Sequence, residues 1–209
     1  MANGGVSLGK GANVSLTKRA PALTAVRAGL GMGAPPGVSR GRARVAGTGG
    51  ADVDPDASAL PTDARGRVLS DDHFVFFNNL KSPDGTVEHL GDELVGSTDS
   101  ATGGDEEEIN VDLAAMAPEV DRIVFPVSIY EAEARRQNFG LVSDAYIRII
   151  NQADGRELAR YDLTEDASTE TAMVFGEPYR RVGEWKFRAI GQGYASGLRG
   201  IALDHGVNV

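Results

Sequence analysis

Between Asp84 and Asp112 the chain carries Asp84, Glu88, Asp92, Glu93, Asp99, Asp105, Glu106, Glu107, Glu108 and Asp112, with no lysine or arginine among them. Glycines interrupt this run, and two side-chain amides, Asn78 and Asn79, precede it. Carboxylates, amides and exposed carbonyls on Gly-rich loops are hard oxygen donors, the set that Ca²⁺ prefers. A second acidic group lies upstream, Asp52-Val53-Asp54-Pro55-Asp56. Its D-x-D-x-D start invites an EF-hand reading, which fails on its own terms. The sixth position is Ala57 where the sharp turn requires Gly, and the twelfth is Asp63 where a bidentate Glu is needed. An extended backbone does better, because residues i, i+2 and i+4 share one face. Asp52, Asp54 and Asp56 then present three carboxylates together, and like charges that close repel unless a cation lies among them.

Other chemistries find less support. The histidines are His73, His89 and His205, none in H-E-x-x-H or another zinc spacing. His73 follows Asp71-Asp72 and reads as a surface charge contact. There is no G-x-S-x-G elbow and no cysteine nucleophile. Acidic residues are plentiful enough for a carboxylate pair, so a metal-dependent hydrolase using the same cluster is the alternative to a non-enzymatic binder. Gly29, Gly31 and Gly33 resemble a phosphate loop only superficially, since no G-K-[ST] follows. Arg40, Arg42 and Arg44 sit in a Pro- and Gly-rich stretch, about 34–51, that reads as a solvated, mobile loop.

The chain of 209 residues, 41% hydrophobic, suffices for one substantial core, so a single domain over 1–209 is expected. The net charge is −9. Most of that imbalance is concentrated in the acidic stretch, which points to a cation site more than to general solubilisation. It also argues against nucleic acid, which needs a concentrated positive footprint. The absence of cysteine removes disulfides, thiolate zinc sites and Fe–S clusters, and fits a reducing, cytoplasmic setting. No apolar h-region opens the chain, so no signal peptide is expected. No run approaches the roughly 18 apolar residues of a membrane helix.

The elements that must position these donors are mostly strands. Val6, Leu8, Val14 and Leu16 alternate with polar or small residues, and 23–30 follows as a further strand. A hairpin turns at Thr62-Asp63-Ala64-Arg65-Gly66. Phe74-Val75-Phe76-Phe77 reads as a buried strand. Ser82-Pro83-Asp84-Gly85 is a turn signal, and a strand returns through Val87 and Leu90. Ile109, Val111 and Leu113 alternate, and 118–120 suggests a single helical turn. Residues 121–130 form an apolar strand in which Pro126 implies an edge or a bulge. Residues 131–136 favour a helix too short to stand alone. Asp154-Gly155 marks a hairpin between strands at 146–150 and 158–163. A strand pair surrounds Gly183, and 196–205 is the one longer helix, stopped by Gly206. Phe125, Phe175, Trp185 and Phe187 are core candidates. The pattern predicts a mainly β fold, an antiparallel β-sandwich of two sheets with short helices, one near the C-terminus.

At this level the chain resembles the TerD family of tellurium-resistance and general stress proteins, which includes calcium-binding members. The matching segments are GVSLGKGANVSLTK, VDPDASA, FVFFNNLKSPDGTVEHLGDEL, IYEAEARRQNFG, ELARYDL, TAMVFGEPYR and EWKFRAIGQGY, in family order over nearly the whole chain. The resemblance implies a two-sheet sandwich that binds Ca²⁺ in loops at one end. It implies a cytoplasmic bacterial protein with no established catalytic activity. Its partners would be other stress or tellurium-resistance proteins, or a membrane-bound complex. Carried over position by position, the implied ligands are Asp54, Asp56, Asn78, Asn79, Asp92 and the Asp105-Glu106-Glu107 cluster. The chain departs from the family pattern at Pro55 and in longer loops at 34–51 and 96–104.

Overall fold

The computed structural model describes residues 4–31, 43–44, 52–91, 105–142, 144–163 and 167–209. Its strands are β1 (Val6–Leu8), β2 (Asn13–Ser15), β3 (Ala25–Gly31), β4 (Ala43–Arg44), β5 (Asp52–Val53), β6 (Pro55–Ala57), β7 (Leu60–Thr62), β8 (Val87–His89), β9 (Glu107–Asp112), β10 (Arg122–Ile129), β11 (Tyr146–Asn151), β12 (Glu157–Asp162), β13 (Ala172–Arg181) and β14 (Glu184–Tyr194). Its α-helices are α1 (Leu16–Arg19), α2 (Ala132–Arg135) and α3 (Gly197–Asp204).

The strands form two six-stranded sheets and one small ribbon, β4–β5. The first sheet runs β1-β12-β11-β3-β9-β8. The second runs β2-β14-β13-β10-β6, with β7 continuing the edge along β10. Pairing is antiparallel except where β1 lies parallel to β12. Strand alternation explains the packing. Val26, Ala28, Ile109, Val111, Ile147 and Ile149 point inward from the first sheet and meet Phe125, Val127, Met173, Phe175 and Phe187 from the second. Trp185 is only partly buried, at the core margin beneath Arg180. A second, smaller core lies on the outer face of the second sheet, where Ile201 and Ala202 of α3 cover Val124 and Val174.

Pro126 sits at a bulge, where the register of β10 against β13 shifts between Phe125 and Pro126. The strand is not at an edge; the bulge alone accommodates the missing N–H. The aromatic run departs from expectation. Residues Asp71–His73 form a 3₁₀ turn, and Val75 and Phe76 make only isolated bridges, to Ala59 and Asn79. Phe74 and Val75 are buried, but Phe77 is 46% exposed. The run is too close to the Phe76–Asn79 turn to lie flat as a buried strand. Residues 118–120 make a turn and not a helical element, and Leu16–Arg19, read as strand end and loop, is a helical turn capped by Ser15. The expected mobile loop at 34–51 lies outside the described residues, apart from the backbone of Ala43–Arg44 paired with Asp52–Val53.

Candidate metal centre

Antiparallel pairing brings several chain segments to one end of the sandwich. There β3 ends at Gly31, β8 ends at His89, and β9 begins at Glu107. Leu30, Pro55, Glu106, Glu107, Val127 and Phe175 line a small crevice at this end, between the sheets. The edge strand β6 supplies Pro55 to the crevice, and its neighbours Asp54 and Asp56 turn to the other face of the sheet. Val53 and Ala57 are fully buried, whereas Asp54 and Asp56 are half-buried on the alternate parity. The face-sharing expected for these two carboxylates is thus the geometry adopted. For Asp52 only the backbone is described.

Asn78 and Asn79 are carried to the same end by aromatic packing. Phe77 meets Tyr130 edge to face at 6.5 Å, and the Tyr130 amide donates to the Asp54 carbonyl at 2.9 Å. The Asn79 Nδ2 donates to the carbonyls of Asp72 and Phe74 at 2.9 and 2.7 Å. Both amide protons are then used, which fixes the flip and makes Oδ1 the acceptor turned the other way. Asn78 is exposed.

The Asp105-Glu106-Glu107 run does not form one cluster. Strand β9 begins only at Glu107, so Asp105 and Glu106 precede it in a bend, outside the alternation that would set Asp105 and Glu107 on one face. Glu107 points inward, and its Oε2 lies 2.9 Å from His89 Nε2. The Gly91 amide donates to His89 Nδ1, which leaves Nε2 as the ring nitrogen beside Glu107. Glu106 remains at the crevice. Asp105 lies on the outer face of the first sheet, where Arg148 Nε donates to both of its oxygens at 2.8 and 3.0 Å and Tyr146 donates at 3.0 Å. A side chain at Gly29 would overlap the Asp105 carboxylate, so the glycine makes the room. Burial, then the adjacent Asp105 charge and hydrogen bond, push the Tyr146 phenol above its ordinary value. Burial opposes the Arg148 charge, but the Asp105 hydrogen bond and charge outweigh it and raise the guanidinium.

Asp92 lies outside the described residues, and so does the loop 96–104. Among the described residues, no three Asp, Glu, His or Cys side chains gather closely enough to hold a metal ion. The donors near this end are Asp54 and Asp56 on the β6 edge and Glu106 at the crevice, with the Asn78-Asn79 turn linked to the Asp54 segment through Phe77 and Tyr130. All are oxygen donors, which fits the chemistry of Ca²⁺, though roughly six to eight oxygens are required in total. Sequence reasoning missed Tyr130, His89 and Arg148. Tyr130 had a signal, an aromatic ending an apolar strand; Arg148, 43 residues from Asp105, had none.

The chain matches the TerD domain over residues 5–205. It belongs to the TerD family. It is 51% identical over 203 residues to Tellurium resistance protein TerD of Serratia marcescens, covering 97% of this chain and 98% of that one. It is 45% identical over 204 residues to General stress protein 16U of Bacillus subtilis (strain 168), covering 98% of each. A crystal structure of a TerD homologue from Streptomyces coelicolor A3(2) superposes with a TM-score of 0.60 at 24% identity, over 86% of this chain and 95% of that one. That likeness shows a shared TerD fold. Among the described residues, no helix of this family member is long and apolar enough to cross a membrane.

Proposed function

We propose that this chain is a non-enzymatic Ca²⁺-binding protein of the cytoplasm that serves resistance to tellurite and other chemical stress. The relatives named for tellurium resistance, general stress and, in Clostridium acetobutylicum, chemical-damaging agent resistance support the physiological part. The observation that supports the metal is the placing of oxygen donors on three neighbouring segments: Asp54 and Asp56 on the β6 edge, Asn79 in the turn that Phe77 ties to Tyr130, and Glu106 at the crevice that Pro55 also lines. When bound, Ca²⁺ supplies the positive charge that lets such carboxylates lie close together. The chain's own contribution is to hold them. The β6 edge fixes Asp54 and Asp56, Phe77 on Tyr130 fixes the asparagine turn, and the Glu106 amide donates to the Leu30 carbonyl at 2.8 Å. Phe77 and Tyr130 are exposed beside these donors and form the surface on which a partner stress protein or a membrane-bound complex would settle once the acidic end is neutralised.

Isothermal calorimetry on metal-stripped protein tests the reading. Ca²⁺ should bind saturably and more tightly than Mg²⁺, which demands a tight octahedron and releases water reluctantly. Equal or tighter Mg²⁺ binding, or no heat with either ion, would defeat it.

A further inference from the structure

The outer face of the second sheet is only partly covered by α3. Beside the helix lies a trough of about 440 Å³, whose lining includes none of the proposed metal donors. Small-molecule sites typically enclose roughly 300–1,000 Å³ with an apolar lining and a few convergent polar groups. The floor here is Ile190, beside the edges of Val124 and Val174 that α3 leaves uncovered, from three adjacent strands. Tyr194 and His205 form one wall, and the β1–β2 turn closes the other, pinned by the Gly11 amide donating to the Ala189 carbonyl at 2.9 Å.

The polar end of the trough is built around an ion pair. Glu177 and Arg188 face each other directly across β13 and β14, and the guanidinium donates to the Glu177 carboxylate. Glu177 is only 3% exposed, while the Arg188 side chain is 44% exposed. The carboxylate is therefore a buried anchor that orients the arginine and leaves its other N–H groups facing outward. Arg122 also approaches Glu177, at 3.9 Å, but its nearer partner is Asp121, at 3.0 Å, so Arg188 is the closest cation to the anchor. Lys10 stands at the same rim. In a chain of net charge −9, this spot presents positive charge over an apolar floor. A guanidinium held in one orientation recognises a carboxylate with two parallel hydrogen bonds.

We propose that this trough binds a small monocarboxylate with an apolar body, the carboxylate on Arg188 and Lys10 and the body over Val174 and Ile190. A dianionic phosphate fits less well, because Glu177 and Asp121 offset two of the three cations Arg122, Arg188 and Lys10 and leave one in surplus. The site shares no lining residue with the crevice at the acidic end.

The test is a titration of ¹⁵N-labelled protein with sodium octanoate, followed by amide chemical shifts. Octanoate should give saturable shifts at Gly11, Ile190 and Gln192. Acetate lacks the body and octan-1-ol lacks the charge, so each should bind at least tenfold more weakly. Arg188→Gln should weaken octanoate binding at least fivefold. Because that change disturbs a buried carboxylate, Gln192→Trp is the second variant. It fills the trough from an exposed strand position, leaves the ion pair intact, and should abolish the shifts in a folded protein. Absence of saturable octanoate shifts would overturn the proposal. So would octan-1-ol binding as tightly as octanoate, or unchanged affinity in folded Gln192→Trp.

Discussion

Arg148 neutralises a carboxylate with no solvent exposure at all, that of Asp105. Removing one partner of a buried pair strands the other, which costs about 3–5 kcal/mol. Arg148→Ala should therefore lower stability by about that amount in a urea melt. A loss below about 1 kcal/mol would mean that Asp105 reaches water once its partner is gone. The same residue explains the limit of the sequence reading of the site. Asp105, Glu106 and Glu107 look alike in a sequence, and three adjacent carboxylates invite a single role. The bend that precedes β9 gives them three environments: Arg148 outside, the crevice mouth, and His89 inside. Alternation alone would set Asp105 and Glu107 on one face, and the partners that separate them are not local. Nothing near Asp105 signals an arginine on another strand. Asp54 and Asp56 were legible because their shared face follows from extended backbone alone.

Hairpins are the elements in which local chemistry decides most, and β13–β14 is the longest. Its two turn residues, Val182 and Gly183, both have positive φ, 51° and 73°. Such two-residue turns favour Asn-Gly, and a β-branched residue is strained in the left-handed region. Val182 is 95% exposed, so it offers no packing in return. Val182→Asn should raise stability by about 0.5–1 kcal/mol, the scale on which left-handed strain is relieved. The check is a shift in urea midpoint with an unchanged slope; a loss of stability would show that the turn is held by something other than its own backbone. Elements of this kind were readable in advance. Asp154-Gly155 marked β11–β12, and Pro126 marked the bulge in β10. The parallel seating of β1 on β12 was not, because 153 residues separate Val6 from its partner Ala159 and no turn links them. The aromatic run at 74–77 misled for a related reason. Its composition suits a strand, but the neighbouring Asn78-Asn79 turn and the contact with Tyr130 set its shape.

Across the whole molecule, charge is segregated. Oxygen donors gather at one end of the sandwich, while Arg188 and Lys10 edge a trough on the outer face of the second sheet. A ligand that binds only the folded state adds its binding free energy to global stability, about 2.7 kcal/mol at a hundredfold excess over Kd. Metal binding by the acidic end should thus be visible in the melting of the entire domain. It should also sort the carboxylates into those that hold the ion and those that hold the fold. Asp54→Asn keeps the shape and removes one charge from a crowded end. In chelator this variant should melt at or slightly above the parent temperature, and excess Ca²⁺ should raise it by much less than the parent. Asp105→Asn should behave in the opposite way. Its partner Arg148 loses a buried counter-charge, so the variant melts lower in chelator, yet its Ca²⁺-induced rise should match the parent's. Thermal unfolding of the three proteins, with chelator and with excess Ca²⁺, reads both effects. An undiminished rise in Asp54→Asn would remove that residue from the donor set, and a diminished rise in Asp105→Asn would make the Arg148 pair part of the metal centre. No Ca²⁺-induced rise in any of the three would remove calcium from the function altogether.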